Sequence, residues 1–157
     1  MNIPTYKLII VGEAESGKSS IIARLLEEEY PPRSLTGVDL HNVVLAASNY
    51  QIKFNIWDCS GTFPITDRGY WKGAQCAMVV LDAIRPRYFA TRATIQEIRE
   101  VCGNIPILLV VNKYDRSRGR YHLKRPISDC IAMCSVSALY NRNIKTPFLM
   151  LAKKLLA

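Results

Sequence analysis

The chain has 157 residues, which suits one domain with a substantial core, and its 49% hydrophobic content is ordinary for a globular protein. Its longest apolar run, Ile105 to Val111, is too short to cross a bilayer, and two distant histidines with five scattered cysteines make no metal-ligand cluster. The net charge of +8 suits an acidic partner, yet no aromatic interleaving accompanies the basic residues, so direct nucleic-acid binding is not expected.

The first predicted element is a strand over residues 5–11, ending in the apolar run Tyr6-Lys7-Leu8-Ile9-Ile10-Val11. Directly after it, Gly12-Glu13-Ala14-Glu15-Ser16-Gly17-Lys18-Ser19 matches the pattern G-x-x-x-x-G-K-[ST] in full, and a helix is predicted over 18–29. A strand, a glycine loop and a helix in that order let the backbone N–H groups of residues 13 to 20 (Glu13, Ala14, Glu15, Ser16, Gly17, Lys18, Ser19, Ser20) wrap phosphates. Lys18 would place a point charge on the terminal phosphates, and the Ser19 hydroxyl would ligate Mg²⁺.

Strands over 38–47 and 51–57 follow, joined by Ala47-Ser48-Asn49-Tyr50, a spacing that predicts a hairpin. The second of them ends in Asp58-Cys59-Ser60-Gly61, where the carboxylate of Asp58 would hold a water on Mg²⁺ and the Gly61 N–H would approach the γ-phosphate. A short helix over 66–73, a strand over 76–82 and a helix over 88–102 come next. The strand over 106–111 runs into Asn112-Lys113-Tyr114-Asp115. A carboxylate at Asp115 accepts from the N1–H and 2-amino groups of guanine, donors that adenine lacks. After a last strand over 130–134, Ser137 and Ala138 are placed to offer a backbone N–H to the guanine carbonyl. The final helix, 147–156, has Thr146 as its expected N-cap and Pro147 at its first position, with Phe148, Leu149, Leu151, Ala152, Leu155 and Leu156 on one face.

Strands alternating with helices predict an α/β fold of the P-loop NTPase type: a mainly parallel six-stranded sheet flanked by helices on both faces, in one domain spanning 1–157. Ligands bind at the carboxyl ends of such strands, where all three motifs fall. With no secretory signal, no glycine after Met1 and no cysteine near the C-terminus, neither export nor a lipid anchor is expected. Odd, scattered cysteines fit reduced thiols in a cytosolic or nuclear protein.

On these motifs the chain resembles a Ras-superfamily small GTPase. Within it, the stretches Lys53 to Asp58, Gly73 to Ala77, Val101 to Ile107 and Pro147 to Leu155, with Gly37-Val38-Asp39, are most similar to the Ran branch. The resemblance implies GTP or GDP with Mg²⁺ as cofactors, a monomeric switch, importin- or exportin-type transport receptors and exchange or activating factors as partners, and a place in nucleus and cytoplasm. Arg116, Arg118, Arg120, Lys124 and Arg125 would fill the basic docking role; Arg85, Arg87, Arg92 and Arg99 make a second basic stretch, and for both a docking surface for an acidic protein and a solvated face are the two readings.

Departures from the family pattern bear on catalysis. Thr62 occupies the position of the water-orienting glutamine, so the catalytic positions carried over are Thr62 and Lys18. Leu35 stands where the family has its metal-binding threonine, with Thr36 one residue late as the remaining candidate ligand. Leu139 replaces the lysine that covers the base, and Glu13 and Glu15 add charge beside the phosphates. Weak GTP hydrolysis is therefore expected. The alternatives are a pseudo-GTPase interaction domain with little nucleotide dependence and a Rab-like trafficking GTPase.

Overall fold

The computed structural model describes residues 2–30, 38–59, 68–114, 127 and 129–157. In chain order these form β1 (Thr5–Gly12), α1 (Lys18–Leu25), β2 (Val38–Ala47), β3 (Tyr50–Cys59), a 3₁₀ turn (Arg68–Trp71), β4 (Cys76–Asp82), α2 (Tyr88–Cys102), β5 (Ile107–Asn112), β6 (Ala132–Ser135) and α3 (Lys145–Leu155). The predicted elements 66–73 and 130–134 extend partly outside the described or regular residues; what is observed of them is Arg68–Trp71 and Ala132–Ser135.

All six strands join one sheet in the order β2-β3-β1-β4-β5-β6. Among the strands of the described residues only the β2–β3 pair is antiparallel, and it closes the hairpin expected around residues 47–50, with Ala47 opposite Tyr50. The other pairs are parallel, so β1 has β3 on one side and β4 on the other. The chain leaves β1 toward one edge and later returns to build the other. That reversal opens a crevice at the carboxyl end of β1, the place where such sheets take ligands.

Alternation along the strands feeds two cores. Leu8 and Ile10 of β1 pack with Ile21, Ile22 and Leu25 of α1 and with Phe148, Leu151 and Ala152 of α3. Ile9 and Val11 pack on the other face with Trp71 and with Ile95 and Ile98 of α2. β4 and β5 are buried along almost their whole length, as expected for parallel strands covered on both faces.

Two helix boundaries depart from expectation. α1 stops at Leu25 rather than 29, and Glu27 turns to a left-handed φ of 55°. Glu27, Glu28 and Glu29 would have put three negative charges at the negative end of a helix dipole, beside one another. At α3, Thr146 is not the N-cap: the helix begins at Lys145 after Ile144, and the Thr146 hydroxyl donates instead to Asn143 Oδ1. Pro147 is thus third in the helix, still within the first turn, where an N–H has no helical acceptor. Of its expected apolar face, Phe148, Leu151 and Ala152 are fully buried, while Leu156 is 36% exposed.

Candidate nucleotide site

The loop from Gly12 to Lys18 turns at the carboxyl end of β1 and delivers the chain into α1. Its shape demands glycine at two points. A Cβ on Gly12 would lie 2.5 Å from the Val80 carbonyl oxygen, and one on Gly17, where φ is 100°, would lie 2.0 Å from Asn112 Nδ2. The first turn of α1 carries no acidic residue and Gly17 caps it without a side chain, so its N–H groups and the positive end of its dipole face an unblocked loop.

Lys18 is 6% exposed and its ammonium donates to the carbonyl oxygens of Gly12 and Glu13, each at 2.9 Å, which folds the side chain back over its own loop. Burial pulls its pKa down, opposed chiefly by the nearby Asp58 carboxylate. Asp58, at the end of β3, is fully buried, and burial pushes its pKa up against the Ser19 hydrogen bond and the Lys18 charge. Ser19 Oγ donates to Asp58 Oδ2, so the two expected metal-site groups meet directly. Glu13, Ala14 and Glu15 are exposed, so the two loop acids keep contact with solvent.

Among the described residues, two buried side-chain polar atoms have no partner, Asp58 Oδ1 and Ser16 Oγ, and both belong to this loop and its neighbour strand. Buried polar atoms are nearly always satisfied, so a pair of orphans at one place marks an arrangement that a ligand completes. The oxygen donors Ser19 Oγ and Asp58 are of the hard type that suits Mg²⁺, and the orphan on Asp58 leaves an acceptor for a metal-held water; the residues present fit that ion.

A second group of residues binds the loop to the rest of the crevice. Asn112, at the end of β5 and 2% exposed, donates from Nδ2 to the Ser16 carbonyl at 3.0 Å and accepts the Ala138 N–H on Oδ1 at 3.1 Å. Lys113, in a left-handed φ of 61°, donates from Nζ to the Glu15 carbonyl and to Asp82 Oδ2, both at 2.8 Å. Burial works to raise the Asp82 pKa, but the Lys113 hydrogen bond, the Ile84 N–H and the lysine charge outweigh it and hold the carboxyl below its usual value. Glu15, Gly17, Ser20, Tyr30, Asn112, Lys113, Ala138 and Leu139 line one cleft of about 220 Å³ beside the loop.

The N–H groups of Ser137 and Ala138 are not idle. Ser137 donates to the Arg142 carbonyl at 3.1 Å and Ala138 to Asn112 Oδ1, so either would have to leave a protein acceptor to meet a guanine carbonyl. Three residues of the site were not expected from sequence: Tyr30, Arg24 and Asp82. Arg24 donates from Nε to the Ala138 carbonyl at 2.8 Å and from Nη2 to the Leu139 carbonyl at 2.9 Å, and its guanidinium lies 3.7 Å from the Tyr30 ring centre. The one sequence signal was an aromatic just past the end of α1. Thr36, Gly61, Thr62 and Asp115, with Leu35 and the basic stretch Arg116 to Arg125, lie outside the described residues.

Residues 7–115 match the family model of Roc, the Ras of Complex domain of DAP kinase. The chain belongs to the Roc family of Ras-like GTPase domains. Its fold is also that of a solved structure, Methanosarcina barkeri Roco2 RocCORdC bound to GDP, with a TM-score of 0.76 and 23% identity. That likeness covers 99% of this chain and 50% of the other, so the chain spans about half the length of that Roco2 protein. Neither similarity supports the finer placement in the Ran branch.

Proposed function

We propose that this Roc domain is a guanine-nucleotide-binding switch that holds GDP or GTP with Mg²⁺ at the loop Gly12–Ser19. The observation that carries the reading is the meeting, at the carboxyl end of β1, of a loop shaped by Gly12 and Gly17, the buried pair Lys18 and Asp58, and the Asn112–Lys113 anchor, with two buried polar atoms left for a ligand to satisfy. The GDP of the Roco2 structure agrees with it.

On this reading the amides at the start of α1 bind the phosphates, and Lys18 exchanges its loop carbonyls for phosphate oxygens. Ser19 and, through water, Asp58 would hold Mg²⁺, which supplies positive charge against the phosphates. Thr36 is a further ligand by resemblance. Lys113 and Asn112 fix the base side of the cleft, and Asp115 reads the guanine edge. Hydrolysis is slow, because Thr62 has no amide to orient a water and Leu35 offers no oxygen to the metal.

For partners, the reading extends to acidic surfaces docked on the basic residues. Transport receptors of the importin type, in nucleus and cytoplasm, remain the proposal drawn from the Ran-like stretches, with a second proposal of further domains in a longer chain, as in Roco2. Binding that weakens as salt rises supports the former.

The test is base choice. GTP should bind and ATP should not. Asp115→Asn should weaken GTP and favour xanthosine triphosphate, because an amide can donate to the 2-oxo group. Equal binding of GTP and ATP by the native chain overturns the guanine assignment, and binding of neither leaves an interaction domain without a nucleotide.

A further inference from the structure

We infer that Arg24 is a positioning residue that sets how long the nucleotide stays bound, by holding the wall of the cleft formed by Tyr30, Ala138 and Leu139. The inference rests on the nucleotide reading above and deepens it.

Three contacts of one side chain carry the argument. Two guanidinium nitrogens donate to the consecutive carbonyls of Ala138 and Leu139, across 114 and 115 residues of sequence. The same plane stacks 3.7 Å from the Tyr30 ring centre. All three partners line the cleft, while Arg24 itself does not. Arg24 sits in the last full turn of α1, the helix that starts at the phosphate loop. It therefore ties the phosphate side of the site to the base side.

The backbone of Ala138 is gripped on both sides. Its N–H goes to Asn112 at the end of β5, and its carbonyl to Arg24 on α1. The following residue, Leu139, is 39% exposed and has no polar side chain with which to anchor itself. A planar fork suits this work better than a point charge, since it makes two bonds in fixed geometry and keeps a face for an aromatic ring.

The experiment follows release of a fluorescent GDP analogue, loaded on the native chain and chased with excess GDP. Arg24→Ala should release it about 10- to 100-fold faster, a part of the worth of two charge-assisted hydrogen bonds and a stack, since one of the bonds is exposed to water and the Asn112 bond still holds Ala138. Arg24→Lys keeps the charge and one donor nitrogen but not the planar fork, and should fall between native and alanine. In a Tyr30→Leu background, Arg24→Ala should add less than it does alone, because the two act as one unit. If the native chain takes up no analogue, the nucleotide reading falls and this inference with it. If the native chain binds and Arg24→Ala releases at the native rate, or the two substitutions multiply fully, the inference alone is overturned. Should Arg24→Ala fail to fold, Arg24→Lys decides: release at the native rate rejects the role of the fork.

Discussion

Removing the Asn112 side chain isolates the bond pair that joins the phosphate loop to the base wall. In Asn112→Ala the Ser16 carbonyl loses its donor and the Ala138 N–H its acceptor, and both residues are at most 2% exposed. Each buried orphan costs roughly 1–3 kcal/mol, so the pair amounts to about 2–6 kcal/mol if neither group finds water. At about 1.4 kcal/mol per tenfold, even the lower figure corresponds to about 30-fold in an equilibrium constant. The loss can appear in stability, in affinity, or divided between them, according to how far the empty loop relaxes. Urea denaturation in saturating GDP reads the sum, and a parallel titration of GDP reads the affinity share. A domain of this size should melt about 4 °C lower or more. Asn112→Asp should be no milder, since Oδ1 still accepts from Ala138 but a buried carboxylate oxygen then faces the Ser16 carbonyl in place of a donor. Denaturation midpoints and GDP affinity both at native values in Asn112→Ala would show that the loop and the wall are not coupled through this residue.

Gly17→Ala should be as damaging by another route: the new Cβ meets Asn112 Nδ2 at 2.0 Å and the φ of 100° is strained for alanine, on the order of 1–3 kcal/mol before any clash; retained GDP binding with an unshifted melt would contradict the loop geometry. Asp82 gives a pH dependence. Its folded pKa is held below the usual carboxylate value, so its stabilisation is present above the unfolded pKa and is lost as pH falls through the folded one. Native stability should decline below the ordinary aspartate range, and Asp82→Asn should flatten that decline, read as urea midpoints across about pH 6 to 3; parallel profiles would show that Lys113 does not depend on this carboxylate. Thr62→Gln should speed single-turnover hydrolysis of pre-loaded GTP by about 10²-fold or more; no gain would place the deficit in residues 35 and 36.

The strands and the phosphate loop were legible because each motif sits at a strand end, where local pattern and chemistry coincide. Gly12, Gly17, Lys18, Ser19, Asp58, Asn112 and Lys113 were all readable in that way, and the structure brings them to one crevice. Helix ends were harder, since they turn on small competing terms. The Glu27–Glu29 charges stop α1 early, and Asn143 takes the Thr146 hydroxyl that would have capped α3. Arg24 and Asp82 were not legible at all. Their partners lie 114 and 31 residues away, and nothing in the local sequence of a helical arginine or a strand-end aspartate announces a contact made only by tertiary packing. Likewise, nothing in the local sequence announces that the Ser137 and Ala138 N–H groups hold the Arg142 carbonyl and Asn112 Oδ1 as acceptors.

The most direct measurement of the central claim is the identity of the nucleotide that the purified protein carries, released by heat and resolved by chromatography. The account predicts GDP or GTP at close to one per chain in the native protein, and little or none in Lys18→Ala with its fold intact by circular dichroism. An adenine nucleotide, or a chain that is empty as purified and stays empty after incubation with GDP and Mg²⁺, would contradict it.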